Sequence, residues 1–257
     1  MYNSHNMMAI LFIIVFWTGL VFGSFLNCLI YRLHSHKTLL GRSFCPKCKQ
    51  KIKWYDNVPI ISFIFLKARC RFCHKRISWQ YPIVELAMAL FFVLSVWLRM
   101  EELSLLVVLR DWIIFFTLLF VFVYDLKYSE IEDVILLPAT VLVLIFSLFL
   151  GQSFLPIIFS ALIGISFFGI QYLVTKGRGI GLGDLRIGFF MGVVCGNWQY
   201  LLVAIFFAYI IGALVSLLLI LGRKKKMKSA IPLGPFLVIG TFIAFLFADQ
   251  IITFYVQ

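Results

Sequence analysis

Charged side chains are scarce in this chain: Asp, Glu, Lys and Arg together make up 13% of its 257 residues. Soluble globular domains carry roughly 25% charged residues, so this composition excludes an ordinary water-soluble fold. Histidine occurs only four times, and none of the four is accompanied by a plausible serine or cysteine nucleophile that it could activate. The sequence also lacks internal repeats, which argues against a transporter built from repeated halves.

What the chain has instead is apolar sequence. Hydrophobic residues make up 63% of it, and its mean hydropathy is +1.03. A helix needs about 20 apolar residues to cross a hydrocarbon layer about 30 Å thick. The apolar runs therefore predict an all-α membrane protein with about eight transmembrane helices. The predicted spans are 9–30, 82–98, 106–124, 134–150, 155–174, 184–198, 199–221 and 233–251.

The sixth predicted span is unusually short. Only the Gly196-Asn197 turn signal divides it from the seventh, and from Asp184 to Gly196 it has 13 residues. At 1.5 Å per residue that is about 20 Å, less than the thickness of the hydrocarbon layer. Three explanations remain open: the span continues past Trp198, Asp184 lies about a turn below the interface, or the bilayer thins there.

The basic residues predict the orientation. If the spans alternate, all but two of the 23 Lys and Arg residues fall on one side of the membrane, and Arg99 and Arg110 lie opposite. The positive-inside rule assigns the basic side to the cytoplasm and both termini to the outside. The net charge of +12 is therefore mainly a topology signal, and we expect membrane lipid but no nucleic acid as a partner. The basic side carries residues 32–76, Lys127, Lys176, Arg178, Arg186 and the run 223–228.

The one sizeable polar insertion, 32–81, contains two C-x-x-C pairs, CPKC and CRFC. Such pairs are typical of a tetrahedral zinc site in which each pair presents two thiolates to the metal. A site closed by four sulfurs predicts a structural ion, and redox-active or unmetallated thiols are the alternative. The predicted organisation is a first transmembrane helix (1–31), a zinc-binding loop (32–81) and a seven-helix core (82–257). The predicted ligands are Cys45, Cys48, Cys70 and Cys73.

Two aspartates lie at the ends of predicted spans. Asp125 closes the third span and Asp184 opens the sixth, at the same depth and on the same face, so their side chains can converge. A carboxylate inside a membrane is costly and marks a functional candidate, although each one alone could be an end cap. Two neighbouring carboxyl groups share a proton and can activate a water between them. Helix dipoles favour Asp184 as the resting carboxylate and Asp125 as the resting acid.

Five segments together resemble the type IV prepilin peptidases over almost the whole chain. The resemblance implies an aspartyl endopeptidase that removes leader peptides from prepilins or pseudopilins at the cytoplasmic face of the bacterial inner membrane. By motif position, Asp125 and Asp184 match its catalytic pair. The segments are GSFLNCLIYRL (23–33), the cysteine-containing stretch 45–85, YDLKYSEIED (124–133), GLGD (181–184) and IPLGPFLVIG (231–240).

Many members of that family also methylate the new N-terminus with S-adenosylmethionine, and the matching methyl-donor candidates here are Trp54, Asp56, Asn57 and Glu85. This chain departs from the family at Ala68, where glycine is usual, which favours an alternative of peptidase activity alone. It also has Glu132 where the family has proline.

Two readings outside this enzyme class stay open. The first is a non-enzymatic membrane assembly protein that uses the zinc loop for docking. The second is a transporter that uses the aspartates as a proton relay, which the lack of internal repeats and of acidic residues near mid-membrane disfavours. For a peptidase, the sequence does not choose among substrates of a pilus, a secretion system or a DNA-uptake apparatus.

Overall fold

The computed structural model describes residues 2–39, 41–100, 104–222 and 231–256, so the basic run 223–228 lies outside the described residues. Within them the fold is helical, with eight long helices, one five-residue helix and a short 3₁₀ turn at Trp54–Asn57. The helices are α1 (Tyr2–His34), α2 (Ile61–Phe65), α3 (Gln80–Leu98), α4 (Leu105–Tyr128), α5 (Asp133–Phe149), α6 (Phe154–Thr175), α7 (Leu182–Cys195), α8 (Trp198–Leu221) and α9 (Gly234–Val256).

The eight predicted spans correspond to the eight long helices, which confirms the all-α membrane fold. By length and composition, six of the described helices can cross a membrane, and α5 and α7 are shorter. α7 ends at Cys195 because Gly196 has a φ of +65° and the side chain of Asn197 caps α8, accepting the N–H of Gln199 at 3.0 Å. The sixth span therefore does not continue past Trp198.

The chain forms two compact units, Met1–Phe116 and Thr117–Gln257, with the boundary inside α4. In the first unit, α1 packs closely along α3. Gly23 allows this approach, since a Cβ there would lie 2.6 Å from the Cα of Glu85. Small residues at helix contacts are the usual way in which membrane helices bring their backbones together.

In the second unit, α7 is held against α6 by a similar contact. Gly164 lies on the backbone of Gly188, and a Cβ at position 164 would come within 2.8 Å of the carbonyl carbon there. Five residues further along α6, a Cβ at Gly169 would meet only Leu185 Cδ2, at 3.9 Å. A backbone clash at one glycine and an ordinary van der Waals contact at the other make a matched pair for mutation.

We expect Gly164→Ala to destabilise the second unit by about 1–3 kcal/mol, because the added methyl group forces α6 and α7 apart. Gly169→Ala adds the same methyl group to the same helix without a clash, and we expect it to be neutral or slightly stabilising. Thermal unfolding of the two purified variants in one detergent compares them. Equal losses of stability would contradict the close packing of α6 on α7.

Candidate active site

Asp125 lies one turn before the end of α4, which the apolar run 105–128 forms. The helix stops before Ser129, which has a φ of +55°. Its side chain is buried, with 5% of the residue exposed. The backbone N–H of Gly234, the first residue of α9, donates to the carboxylate. Two helices therefore fix the position of this side chain.

Asp184 lies in the first turn of α7 and is also buried, with 9% of the residue exposed. Its Oδ2 accepts the backbone N–H of Gly181 at 2.9 Å, and its own N–H donates to the Gly181 carbonyl at 3.1 Å. The side-chain half of a capping box thus ties the carboxylate to the start of the helix, while the second bond joins backbone to backbone. Gly183 allows the turn to pack, since a Cβ there would lie 2.6 Å from Ile131 Cδ1.

The two carboxylates line one cavity of about 440 Å³. Its other walls are the turn after α4 (129–132), the glycine-rich loop before α7 (179–183) and the segment leading into α9 (231–233). All of these elements belong to the second unit. The convergence that the sequence predicts for Asp125 and Asp184 is therefore present, with room for a peptide segment and solvent beside them.

Gly234 is a site residue whose contact the sequence motif did not reveal, although glycine before proline at a helix start was an available signal. A Cβ at this position would lie 2.5 Å from Asp125 Oδ2. Any side chain would therefore displace the carboxylate or move the start of α9.

We expect Gly234→Ala to lower the rate of the peptide cleavage expected of this aspartate pair by about 10²-fold, since a displacement of about 1 Å in a reacting group has an effect of that size. Gly169→Ala is the control, because its methyl group meets no more than an ordinary contact. Steady-state rates with a cleavable substrate give the measurement. A Gly234→Ala rate within a factor of two of the parent would show that Asp125 does not need this contact.

The charged side chains around the cavity do not pair with their nearest oppositely charged neighbours in the sequence. Arg186, the one cation among the described lining residues, donates to Asp133 at 2.6 Å and not to Asp184. The hydroxyl of Tyr124 donates to Glu132 Oε1, also at 2.6 Å. Because Asp133 neutralises Arg186, none of the described residues that line the cavity offers a free cation to the two buried aspartates, which favours sharing of a proton between them.

The four predicted cysteine ligands come together in the first unit: their sulfurs all lie within 4.8 Å of one another, and Cys45 Sγ is 4.0 Å from Cys73 Sγ. The two C-x-x-C segments have the same backbone pattern. The N–H of Cys45 donates to Gln50 and that of Cys70 to Lys75, at 2.9 and 3.0 Å. The predicted clustering of the cysteines is therefore confirmed.

This sulfur arrangement fits a tetrahedral metal. Zinc–sulfur bonds of about 2.3 Å place the sulfurs of a tetrahedral site about 3.8 Å apart. Burial disfavours the thiolate of Cys45, but hydrogen bonds from the backbone of Cys48 and Lys47 outweigh that effect and lower its pKa to about 7. A hydrogen bond from the backbone of Gln50 favours the thiolate of Cys48, but desolvation and hydrogen bonding with the neighbouring thiols outweigh it and raise the pKa of Cys48 to about 11. Metal binding at this pair would therefore release a proton, because a cysteine ligand must be deprotonated.

Three of the four methyl-donor candidates share one turn. Trp54 is 76% exposed, Asn57 is exposed, and Asp56 accepts two hydrogen bonds from Arg71, at 2.6 and 2.8 Å. The Arg71 guanidinium holds the pKa of Asp56 below its usual range. The fourth candidate, Glu85, is buried in α3 and accepts the N–H of Ile60 at 2.8 Å.

Ala68 has a φ of +57°, in the left-handed region that glycine adopts without strain. Its backbone links α2 to the far side of the second cysteine segment, donating to Phe63 at 2.9 Å and accepting from Ile77 at 2.8 Å. The structure thus gives a backbone reason for a glycine preference at this position.

We expect Ala68→Gly to stabilise the first unit by about 1 kcal/mol, because the left-handed conformation costs an L-residue about that much. The midpoint of urea-induced metal release measures the change. A midpoint that stays equal or falls would contradict strain at Ala68.

Comparison with known proteins gives two family matches. Residues 10–99 match the bacterial peptidase A24 N-terminal domain, and residues 112–217 match the type IV leader peptidase family. No solved structure matches the chain.

Curated relatives match over nearly the whole chain. A protein of Pseudomonas putida named prepilin leader peptidase/N-methyltransferase is 32% identical, over 91% of this chain and 89% of its own length. Proteins of the same name from Aeromonas salmonicida and Bacillus subtilis are 30% and 31% identical. Those alignments cover 99% and 98% of this chain, and 97% and 98% of the two relatives.

Proposed function

Because the chain belongs to the type IV leader peptidase family, we propose that it cleaves the leader peptides of prepilin-like proteins with a water that Asp125 and Asp184 activate together. The observation that carries this proposal is that both carboxylates, from different helices, line one cavity. The spans and the basic loop support an inner-membrane protein whose cavity and cysteine loop face the cytoplasm.

The proposed reaction needs one carboxylate and one carboxylic acid. Asp184 is the candidate base, because the Gly181 N–H and the N-terminal end of α7 stabilise its negative charge. Asp125, near the C-terminal end of α4, is the candidate acid. The base takes a proton from water as the water oxygen attacks the scissile carbonyl carbon, and the acid protonates the leaving amine. Because water is the nucleophile, no covalent intermediate forms between substrate and protein.

The glycine-rich wall suits an extended substrate. The N-cap residue Gly181 lies beside Asp184, with 3.7 Å between its Cβ position and Oδ2. Main-chain atoms of a bound peptide can therefore approach the carboxylate closely.

We propose N-methylation as a second activity, since the relatives carry both activities in their name. S-adenosylmethionine would supply the methyl group. An exposed indole beside an amide and a carboxylate fits an adenosyl group, so Trp54, Asn57 and Asp56 would hold the donor. Glu85 would act through the loop, because its carboxylate already accepts the Ile60 N–H. The cysteine cluster would bind structural zinc and hold this loop.

Co-expression with a candidate prepilin, followed by mass spectrometry of the mature N-terminus, tests both activities. We expect a product that has lost its leader, and an added methyl group on that product if the second activity is present. Intact prepilin in every co-expression would overturn the peptidase proposal, and a cleaved product without methyl would leave peptidase activity alone.

A further inference from the structure

The five-residue helix α2 exposes an apolar face that nothing in the described part of the first unit covers. Ile64 is 67% exposed and Phe65 82%, whereas Phe63 on the opposite face is buried. Large apolar side chains with this much exposure mark an interaction surface when they lie together.

Two contacts set the level of α2 relative to the start of α3, which is one of the helices long and apolar enough to span a membrane. Phe63 packs edge-on against Trp79, with ring centroids 5.0 Å apart, and Trp79 immediately precedes α3. Ile60, just before α2, donates its N–H to Glu85, which lies five residues into α3. Helical side chains point back toward the N-terminus, so the Glu85 carboxylate lies over the first turn of α3. Both ends of α2 are therefore held at the level where the α3 span begins.

The neighbouring polar contacts mark the same level. Asn27 of α1 donates to the carbonyl of Tyr81 at 3.1 Å and accepts from Gln80 at 3.2 Å. These hydrogen bonds hold α1 against α3 at the residues where α3 begins. An apolar face at this level meets the boundary between headgroups and acyl chains.

The backbone before α2 is compatible with that environment. Ile60 has φ +59° and ψ −51°, and the N–H of Ile61 returns to the Pro59 carbonyl at 2.5 Å, which makes a tight γ-turn. Ser62 and Ile64 donate to Val58 and Ile60 at 3.1 Å each. With these donors paired within the protein, the segment can enter an apolar layer without leaving them unsatisfied.

The charges beyond α2 complement an anionic surface. Lys67 and Arg69 follow the helix and are exposed. Residues 32–76 include 12 basic residues and one acidic residue, Asp56, which is paired with Arg71. Basic side chains next to an interfacial helix are attracted to anionic lipid headgroups.

We propose that α2 anchors the cysteine-containing loop to the bilayer that α1 and α3 span. Ile64 and Phe65 enter the headgroup–acyl boundary, and Lys67 and Arg69 contact anionic phospholipid headgroups. The anchor is independent of peptide cleavage, since all of its residues lie in the first unit and outside the aspartate cavity.

Photocrosslinking tests the anchor in the full chain, reconstituted in vesicles of phosphatidylethanolamine and phosphatidylglycerol. With p-benzoylphenylalanine in place of Phe65, we expect ultraviolet light to give phospholipid adducts, identified by mass spectrometry and enriched in phosphatidylglycerol. Lys67→Gln with Arg69→Gln should remove that enrichment and leave the adducts. The same photoreactive residue in place of Phe63, on the buried face of the same helix, should crosslink only within the chain.

Fluorescence gives a second measurement that needs no unnatural residue. We expect the added emission of Phe65→Trp, relative to the parent chain, to be quenched by brominated lipids and protected from aqueous acrylamide. Adducts at position 65 with a second copy of the chain or with an added prepilin would overturn the proposal. Ready quenching of Phe65→Trp by acrylamide with none by brominated lipid would also overturn it.

Discussion

Asp125→Asn and Asp184→Asn are each expected to lower leader cleavage by roughly 10²–10⁴-fold, the usual contribution of general acid–base catalysis. Asparagine keeps the size of the side chain but can neither take a proton from water nor give one to the leaving amine. Both aspartates line the same cavity, so either change removes one half of the pair. Timed digestion of a purified prepilin, read by mass spectrometry, measures the loss.

Asp249→Asn is the matched control for these variants. Asp249 is an exposed aspartate of α9 that lies outside the cavity lining and accepts the hydroxyl of Tyr200. Substitution of an exposed residue away from the site changes stability by about 0.5 kcal/mol or less, so we expect this variant to retain cleavage. An asparagine variant at 125 or 184 that cleaves as fast as the control would contradict the two-aspartate mechanism. Identical pH–rate limbs for residual activity in the two variants would remove only the assignment of acid and base.

Loss of one cysteine ligand is expected to have a large effect on metal binding and on the folding of the cysteine-containing loop. We expect the parent chain to bind one metal ion, and Cys45→Ser to bind at least ten times more weakly and to expose the loop 41–79 to trypsin. The reason is that the loop has few buried apolar residues, and structural zinc supplies much of the folding free energy of such small units. Metal analysis and the rate of limited proteolysis in the same detergent give the two readings.

Cys28→Ser provides the control, because Cys28 lies in α1, outside the cluster of four sulfurs. It should keep both the metal and the resistance to trypsin. A Cys45→Ser chain that keeps one tightly bound metal ion and stays resistant would show that the cluster does not hold the loop together.

Sequence periodicity was sufficient for the helices, because apolar runs and turn residues act locally. The break at Gly196-Asn197 is an example: a left-handed glycine ends one helix and an asparagine caps the next, as their residue types predict. The predicted first and last residues of the helices were less accurate. The first predicted span, 9–30, became Tyr2–His34, since polar residues can continue a helix beyond its apolar centre.

Contacts between distant segments could not be predicted in the same way. The sequence places Arg186 two residues from Asp184, yet its partner is Asp133, on another helix. The contact of Gly234 with Asp125 likewise depends on how α9 meets α4.

Family membership and the clustering of four cysteines are confirmed. The catalytic roles, the methyl-donor residues, the three-part domain division and zinc itself stay predictions.

The packing of α7 on α6 has a consequence for how far a substrate must travel. Position 169 of α6 faces Leu185, so Asp184 is level with Gly169, six residues before α6 ends at Thr175. At 1.5 Å per residue, Asp184 therefore lies about 9 Å along the axis of α6 from that end. For the proposed cleavage, we infer that the segment between a substrate's membrane helix and its scissile bond must be long enough to pass the last two turns of α6.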